Sequence, residues 1–369
     1  MLPADEQPQI QVLVVDDSAV VRQVMEAVLS QEGDMAVTVA ADPIIAMQKM
    51  KQFRPHVILL DLEMPRMDGL TFLRKIMAED PIPTLICSSV AARGTIAAMQ
   101  ALQEGAVGII TKPKLGAGSF LHESAVMLID AVRSAAAARM GRRTSFPVQQ
   151  KPKLVVSRIP VSIVPAGANR IVAIGASTGG TEALAKILSA MPKESPGIVI
   201  VQHMPELFTA AFAKWLNIIC QIDVKEAEHG DVIAPGRAFI APGNKQMSVF
   251  RMGAHLKIRV TDGPLVSRHR PSVDVLFHSV ARTVGSDALG VILTGMGDDG
   301  AGGLLEMRKT GAHTIAQDEA SCVVFGMPKE AITRGAVLEI LPLGSISAAL
   351  TDLAMNGTRD SHECAVRQS

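Results

Sequence analysis

Three polar positions in the second half of the chain each follow an apolar run: Ser177 in 171-IVAIGASTGG-180, His203 in VQHMP, and the pair Asp298/Asp299 in TGMGDDG. A serine hydroxyl is a poor nucleophile until a base takes its proton during attack, and an imidazole with a reference pKa of about 6.5 suits that task. A carboxylate behind the imidazole fixes its tautomer and stabilises the imidazolium that forms. Serine, histidine and aspartate together can therefore transfer an acyl group to water. Glycine at Gly295 and Gly297 would let backbone amides approach a reacting carbonyl and supply an oxyanion hole. The rival reading of GASTGG as a phosphate cradle lacks both the GxxxxGK[ST] and the GxGxxG spacing. Spacing does not choose between Asp298 and Asp299.

A second set lies in the first half: Asp16 and Asp17 in VVDDS, Asp61 in LDLEMP, Ser88 and Ser89 in ICSS, and Lys112 in TKP. Three crowded carboxylates raise one another's pKa, so a hard divalent cation such as Mg²⁺ is their natural neutraliser. With the metal and Lys112 drawing charge from a phosphoryl group, Asp61 can attack phosphorus in line and form an aspartyl phosphate. Ser88 would bond a phosphoryl oxygen.

The elements that must position these residues alternate in type. QVLVVDD, MAVTVAA, HVILLDLEMP, PTLICSS and GIITKP read as buried strands, separated by segments of helical period, the first opening at Ser18 as a possible N-cap. This is a five-fold βα repeat, and its apolar strands need helices on both faces of a parallel sheet. Ligands bind such sheets at the carboxyl ends of the strands, where the acidic, hydroxyl and ammonium groups fall. The second half repeats the logic. RIVAIGAS, GIVIVQHM and ALGVILTG read as strands, and TEALAKILSAM, LFTAAFAKWLNII and AGGLLEMRKT as helices, with a further helix beginning near Ser272. VIAPGRAFIAPGN and LKIRV are expected to form an antiparallel excursion.

Composition narrows the function classes. The 369 residues carry 36 basic and 36 acidic side chains, so the whole molecule has no long-range attraction for nucleic acid or an anionic membrane. No helix-turn-helix or basic recognition helix is evident. The four cysteines form no CxxC pair, which argues against a structural zinc site or a disulfide framework. No apolar run approaches the roughly 20 residues that cross a bilayer, and a soluble cytoplasmic protein without membrane insertion is expected. A basic stretch free of Asp and Glu, including Arg139, Arg142, Arg143, Lys151 and Lys153, reads as an interdomain linker.

The motifs VVDDS, LDLEMPRMDGL, SS and TKP resemble the receiver domain of two-component response regulators. IGASTGG, VQHMP, HRPSVDVLF, GVILTGMGDDG and ASCVVFGMP resemble the catalytic domain of the chemotaxis-type protein-glutamate methylesterase and protein-glutamine glutaminase. The resemblance implies a flavodoxin-like receiver over 9–133, a linker over 134–168 and a Rossmann-like, doubly wound α/β hydrolase domain over 169–354. It assigns Asp61 as phosphoacceptor, Asp16, Asp17 and Asp61 as the Mg²⁺ site, Ser88 as switch hydroxyl and Lys112 as phosphate-sensing cation. Ile109 stands where receivers often carry an aromatic switch residue. In the second half it implies Ser177 as nucleophile, His203 as base and then acid, Asp299 as orienting acid, the Met296 amide in the oxyanion site, and no cofactor. Arg268 and Arg270 become candidate contacts to substrate. The implied reaction is hydrolysis of glutamate γ-methyl esters on the cytoplasmic helices of methyl-accepting chemoreceptors, releasing methanol, with deamidation of receptor glutamines. Phosphorylation by a chemotaxis histidine kinase would activate it. A catalytically silent scaffold on the same fold, or a receiver-linked regulator of another acyl ester, are the alternatives.

Overall fold

The computed structural model describes residues 9–88, 92–112, 118–140 and 170–356. The chain divides into two compact units, Met1–Arg143 and Thr144–Ser369.

In the first unit, strands β1 (Ile10–Val15), β2 (Met35–Ala40), β3 (Val57–Asp61), β4 (Thr84–Ser88) and β5 (Gly108–Thr111) form one parallel sheet in the order β2-β1-β3-β4-β5. Helices α1 (Ala19–Leu29), α2 (Pro43–Met50), α3 (Gly69–Glu79), α4 (Ala92–Glu104) and α5 (Gly118–Ala136) connect and follow them. The β-branched and leucine-rich strands explain the burial: every residue of β3 is buried. Helix starts follow their caps, with Ser18 accepting from Val21 N, Asp42 from Ile44 N and Ile45 N, and Asp68 from Thr71 N. The chain leaves β1 for β2 on one side and returns to β3 on the other, which opens a crevice at the carboxyl ends of β1 and β3. Of the linker expected over 134–168, residues 134–136 close α5, and 141–168 lie outside the described residues.

The second unit is built on seven parallel strands: β6 (Ile171–Ala176), β7 (Gly197–Gln202), β8 (Asp223–Glu226), β9 (Arg237–Ile240), β12 (Ala288–Ile292), β13 (His313–Gln317) and β14 (Glu339–Leu341). Their order is β14-β13-β12-β6-β7-β9-β8, so β6 is central and the strand order reverses there. Strands β6, β7 and β12 are buried along their whole length. Around the sheet lie α6 (Gly180–Ser189), α7 (Phe208–Ile219), α8 (Val273–Thr283), α9 (Ala301–Lys309), α10 (Met327–Thr333) and α11 (Leu343–Asn356). Ser272 is the N-cap of α8, accepting from Val275 N.

The antiparallel excursion is the hairpin of β10 (Gln246–Met252) and β11 (His255–Thr261). It seats on α8, with Val249 N donating to Ser279 Oγ and Thr283 Oγ1 donating to Val249 O. The expected excursion needs one correction. Within VIAPGRAFIAPGN, Val232 does pair antiparallel with Lys257 of β11, but RAFI is β9, a parallel strand between β7 and β8; LKIRV lies in the hairpin. A four-residue strand flanked by Pro and Gly carries too little alternation to reveal its direction.

Candidate active site

In the first unit, Asp16 follows β1, Asp61 ends β3, and both are buried, whereas Asp17 is exposed. Their carboxylate oxygens, with those of Asp17, lie within 4.8 Å of one another. Lys112, one residue past β5, places Nζ 2.9 Å from Asp16 Oδ2 and 2.7 Å from Asp61 Oδ2. Burial pushes the Asp61 carboxyl above its ordinary value, and the bond from Lys112 offsets this only in part. For Lys112, burial opposes the charged form, but the bonds to Asp16 and Asp61 outweigh it and raise the ammonium. Ser88 is buried at the end of β4, and its carbonyl accepts from Lys112 N at 3.1 Å. Ile109 is a buried side chain of β5. Ser89 lies outside the described residues. An all-oxygen acidic donor set of this kind fits a hard cation such as Mg²⁺.

In the second unit the central strands do the positioning. Ala176 pairs with Gln202 in the parallel β6/β7 register, and one residue beyond each stand Ser177 and His203. Three further bonds lace these ends together. His203 N donates to Ala176 O at 3.0 Å, and the Gln202 side-chain amide donates to both Ser177 O at 2.9 Å and His203 O at 3.0 Å. On the other side of β6, Ser177 N donates to Thr294 O at 3.0 Å, which ties the serine to the loop after β12.

That loop carries the aspartates, and the structure separates them. Asp298 is half-exposed and pairs with Arg334 at 2.5 Å. Asp299 is buried, with Oδ2 2.8 Å from His203 Nε2. It also accepts from Ser272 Oγ at 2.7 Å, Val273 N at 2.8 Å and Asp274 N at 3.0 Å, the first donors of α8. Burial pushes its carboxyl upward, but the bonds from His203, Ser272 and the α8 backbone outweigh this and hold it below its ordinary value. With Nε2 committed to Asp299, His203 has Nδ1 left for a hydroxyl. Nδ1 is buried and has no hydrogen-bond partner in the protein; the register sets residues 177 and 203 at neighbouring strand ends, and the Ser177 hydroxyl is not bonded to that nitrogen. In substrate-free hydrolases this bond often tightens only in the complex.

Glycine is required at Gly295, where a Cβ would lie 2.6 Å from Ser177 Cβ. Gly295 N donates to Val324 O, and its carbonyl accepts from Gly326 N and Met327 N. None of these bonds uses the amide of Met296, whose side chain is exposed. Arg270 turns inward, its guanidinium donating to Asn244 Oδ1 at 2.9 and 2.6 Å and to Gly263 O at 2.6 Å. Arg268 is exposed at a left-handed backbone position. Between them the His269 ring stacks on His203 with centroids 3.7 Å apart, a contact the sequence did not show. In SRHRPSVD it reads as part of a basic patch, and no periodicity marks it. Gln202 and Gln246 were equally silent.

The second unit matches the family model described as CheB methylesterase over residues 172–350, and the first matches the response regulator receiver domain over 12–117. Protein-glutamate methylesterase/protein-glutamine glutaminase 1 of Anaeromyxobacter dehalogenans is 54% identical over 92% of this chain and 97% of its own. The corresponding protein 2 of Chromobacterium violaceum is 56% identical over 92% of this chain and 99% of its own. The chain belongs to the CheB-type methylesterase/glutaminase family. A CheB-type enzyme therefore joins a receiver and a hydrolase in one polypeptide. A solved CheB methylesterase catalytic domain from Thermotoga maritima is similar at 38% identity, covering 50% of this chain and 98% of its own, with a TM-score of 0.49. Among the described residues of this CheB-type protein, no helix is long and apolar enough to cross a membrane.

Proposed function

We propose that the chain hydrolyses glutamate γ-methyl esters on methyl-accepting chemoreceptors, releases methanol, deamidates receptor glutamines by the same route, and is activated by phosphorylation of Asp61. The observation that carries this reading is the buried His203–Asp299 pair beside Ser177 at the ends of adjacent central strands, in a member of this family. Ser177 Oγ attacks the ester carbonyl while His203 Nδ1 takes its proton. Asp299 holds Nε2 and stabilises the imidazolium, and its depressed pKa keeps it ionised for this role. The Met296 amide and donors beside Ser177 receive the developing oxyanion. His203 then protonates methoxide, the C–O bond breaks, and methanol leaves an acyl-enzyme. Water gives a proton to His203 and attacks the acyl carbon, restoring the serine and leaving a free glutamate. With glutamine the leaving group is ammonia.

Arg268 is exposed beside this site and Arg270 is half-buried, with its guanidinium bonded to Asn244 and Gly263, so Arg268 offers a receptor helix the more accessible side chain. In the receiver, proposed over 9–133 with the catalytic domain over 169–354, Asp16, Asp17 and Asp61 would hold Mg²⁺. That ion supplies charge neutralisation for an incoming phosphoryl group. Asp61 takes the phosphoryl group from a phosphohistidine of the chemotaxis kinase, breaking its P–N bond, and Lys112 and Ser88 stand ready for the phosphoryl oxygens. The test is methanol release from methylated receptor membranes by wild type and Ser177→Ala, each with and without a phosphodonor. Release should require Ser177 and rise with the phosphodonor. Full activity in Ser177→Ala would overturn the nucleophile, and an unchanged rate with phosphodonor would overturn the control.

A further inference from the structure

A hydrogen bond at one ring nitrogen restrains a point, not a plane. His203 is held by Nε2 to Asp299, and about that bond the imidazole can still rock, carrying Nδ1 toward or away from Ser177. What fixes the plane is the face of the ring, and against that face lies His269, with centroids 3.7 Å apart and planes only 6° from parallel. We propose that His269 is a positioning residue, whose flat ring fixes the plane of His203 and so the direction of its proton-accepting nitrogen. The inference rests on the Ser177–His203 reading above and deepens it.

Four features of the surroundings serve this contact. The His269 ring is itself oriented, its Nδ1 donating to Ser267 O at 2.6 Å. It stays neutral, because burial and then the neighbouring His203 push its pKa down to about 3. It is presented by a two-residue turn closed by Val266 N to His269 O at 3.0 Å and His269 N to Val266 O at 2.8 Å. Both central residues of that turn, Ser267 at φ 49° and Arg268 at φ 66°, are left-handed without being glycine. Such backbone is costly for any residue with a Cβ and persists where the surroundings over-determine it. Finally, one buried amide joins the support of the face to the support of the edge. Gln246 donates from Nε2 to His269 O at 3.3 Å and accepts at Oε1 from Ser272 N at 2.9 Å, and Ser272 Oγ donates to Asp299.

The same residues raise the question of a metal, since ligand atoms of His203, His269 and Asp299 lie within 4.8 Å of one another. Imidazole lone pairs lie in the ring plane, so two parallel stacked rings direct them past any shared ion. Asp299 is also already engaged by four donors. Ring contact accounts for the geometry, and chelation does not.

The test compares full-length wild type, His269→Phe, His269→Gln and His269→Ala after phosphodonor treatment, by methanol release from methylated receptor membranes and by NMR of the histidine rings. Phenylalanine keeps a flat face and loses the donor; glutamine keeps a donor and loses the face. His269→Phe should hold kcat within about tenfold of wild type, while His269→Gln and His269→Ala lower it by about 100-fold. KM should move by less than about threefold, the signature of an interaction used in the transition state. The ring-current shift on the His203 protons should persist in His269→Phe and vanish in His269→Gln. Higher activity in His269→Gln than in His269→Phe overturns the proposal, and so does a wild-type spectrum without that shift. If His269→Ala does not fold, the Phe and Gln pair decides. A wild type that carries the shift but releases no methanol defeats the esterase reading and leaves the ring contact standing.

Discussion

Acidification should weaken the catalytic unit through a residue that performs no proton transfer in the proposed reaction. Burial and the adjacent His203 hold His269 at about 3 against an ordinary 6.5, so between those values the unfolded chain binds a proton that the folded chain refuses. Stability rises with pH wherever the unfolded state binds more protons. The contribution is therefore fully present above pH 6.5 and is lost as pH falls toward 3. Integrated from pH 7.5 to pH 4.5, one such group accounts for about 2.5 kcal/mol at most. Urea unfolding can follow this unit alone, because the single tryptophan of the chain, Trp215, lies in α7 and stacks on Phe212 at 5.9 Å. Between the two pH values wild type should lose about 2.5 kcal/mol more stability than His269→Phe, which has no group to protonate there. Equal losses in the two proteins would refute the reasoning, because the acid sensitivity would then lie elsewhere.

Other outcomes follow from the site. Asp299→Asn should cut methanol release by up to about 10⁴-fold, the scale of the corresponding change in a serine protease, while Asp298→Asn, which breaks only an exposed pair with Arg334, should shift stability by less than about 1 kcal/mol. Gly295→Ala would bring a methyl group 2.6 Å from Ser177 Cβ and 2.4 Å from Met327 Sδ. It should lower stability by about 1–3 kcal/mol in thermal unfolding and slow labelling of Ser177 by a phosphonate probe. Asp61→Asn should abolish stimulation by a phosphodonor and leave the unstimulated rate intact. A chelator should block phosphorylation of Asp61 without touching hydrolysis by the unstimulated enzyme.

Much of this architecture could be read from the chain because burial leaves a plain record in sequence. Parallel strands covered on both faces must be apolar throughout, so IVAIGA, GIVIVQ and VILLD announced themselves, and a polar residue just past such a run could only lie at a sheet edge. The placement of Ser177, His203, Asp61 and Lys112 at strand ends was legible in that way. Where burial is incomplete the record fades. β8 and β14, with four and three residues at the two edges of the sheet, went unread, and RAFI was assigned to the wrong sheet. Choosing Asp299 over Asp298 needed the family pattern, since only the folded chain shows which of two adjacent carboxylates reaches α8. His269 reads only as one member of a basic patch in SRHRPSVD, and Gln246 carries no signal at all. Their roles depend on a left-handed turn at Ser267 and Arg268, residues whose types predict no such backbone.

Because the carboxylate grips the outer nitrogen of His203, the nitrogen that would face the serine is the one nearest the ring's root, one residue past β7. The proton's route in such an arrangement is governed by the gap between two neighbouring strands, about 4.8 Å in any sheet, and hardly at all by side-chain reach. Evolution or an engineer could therefore rebuild the rim of this sheet freely for a new partner. A single-residue insertion at the end of β6 or β7 would instead silence the chemistry outright.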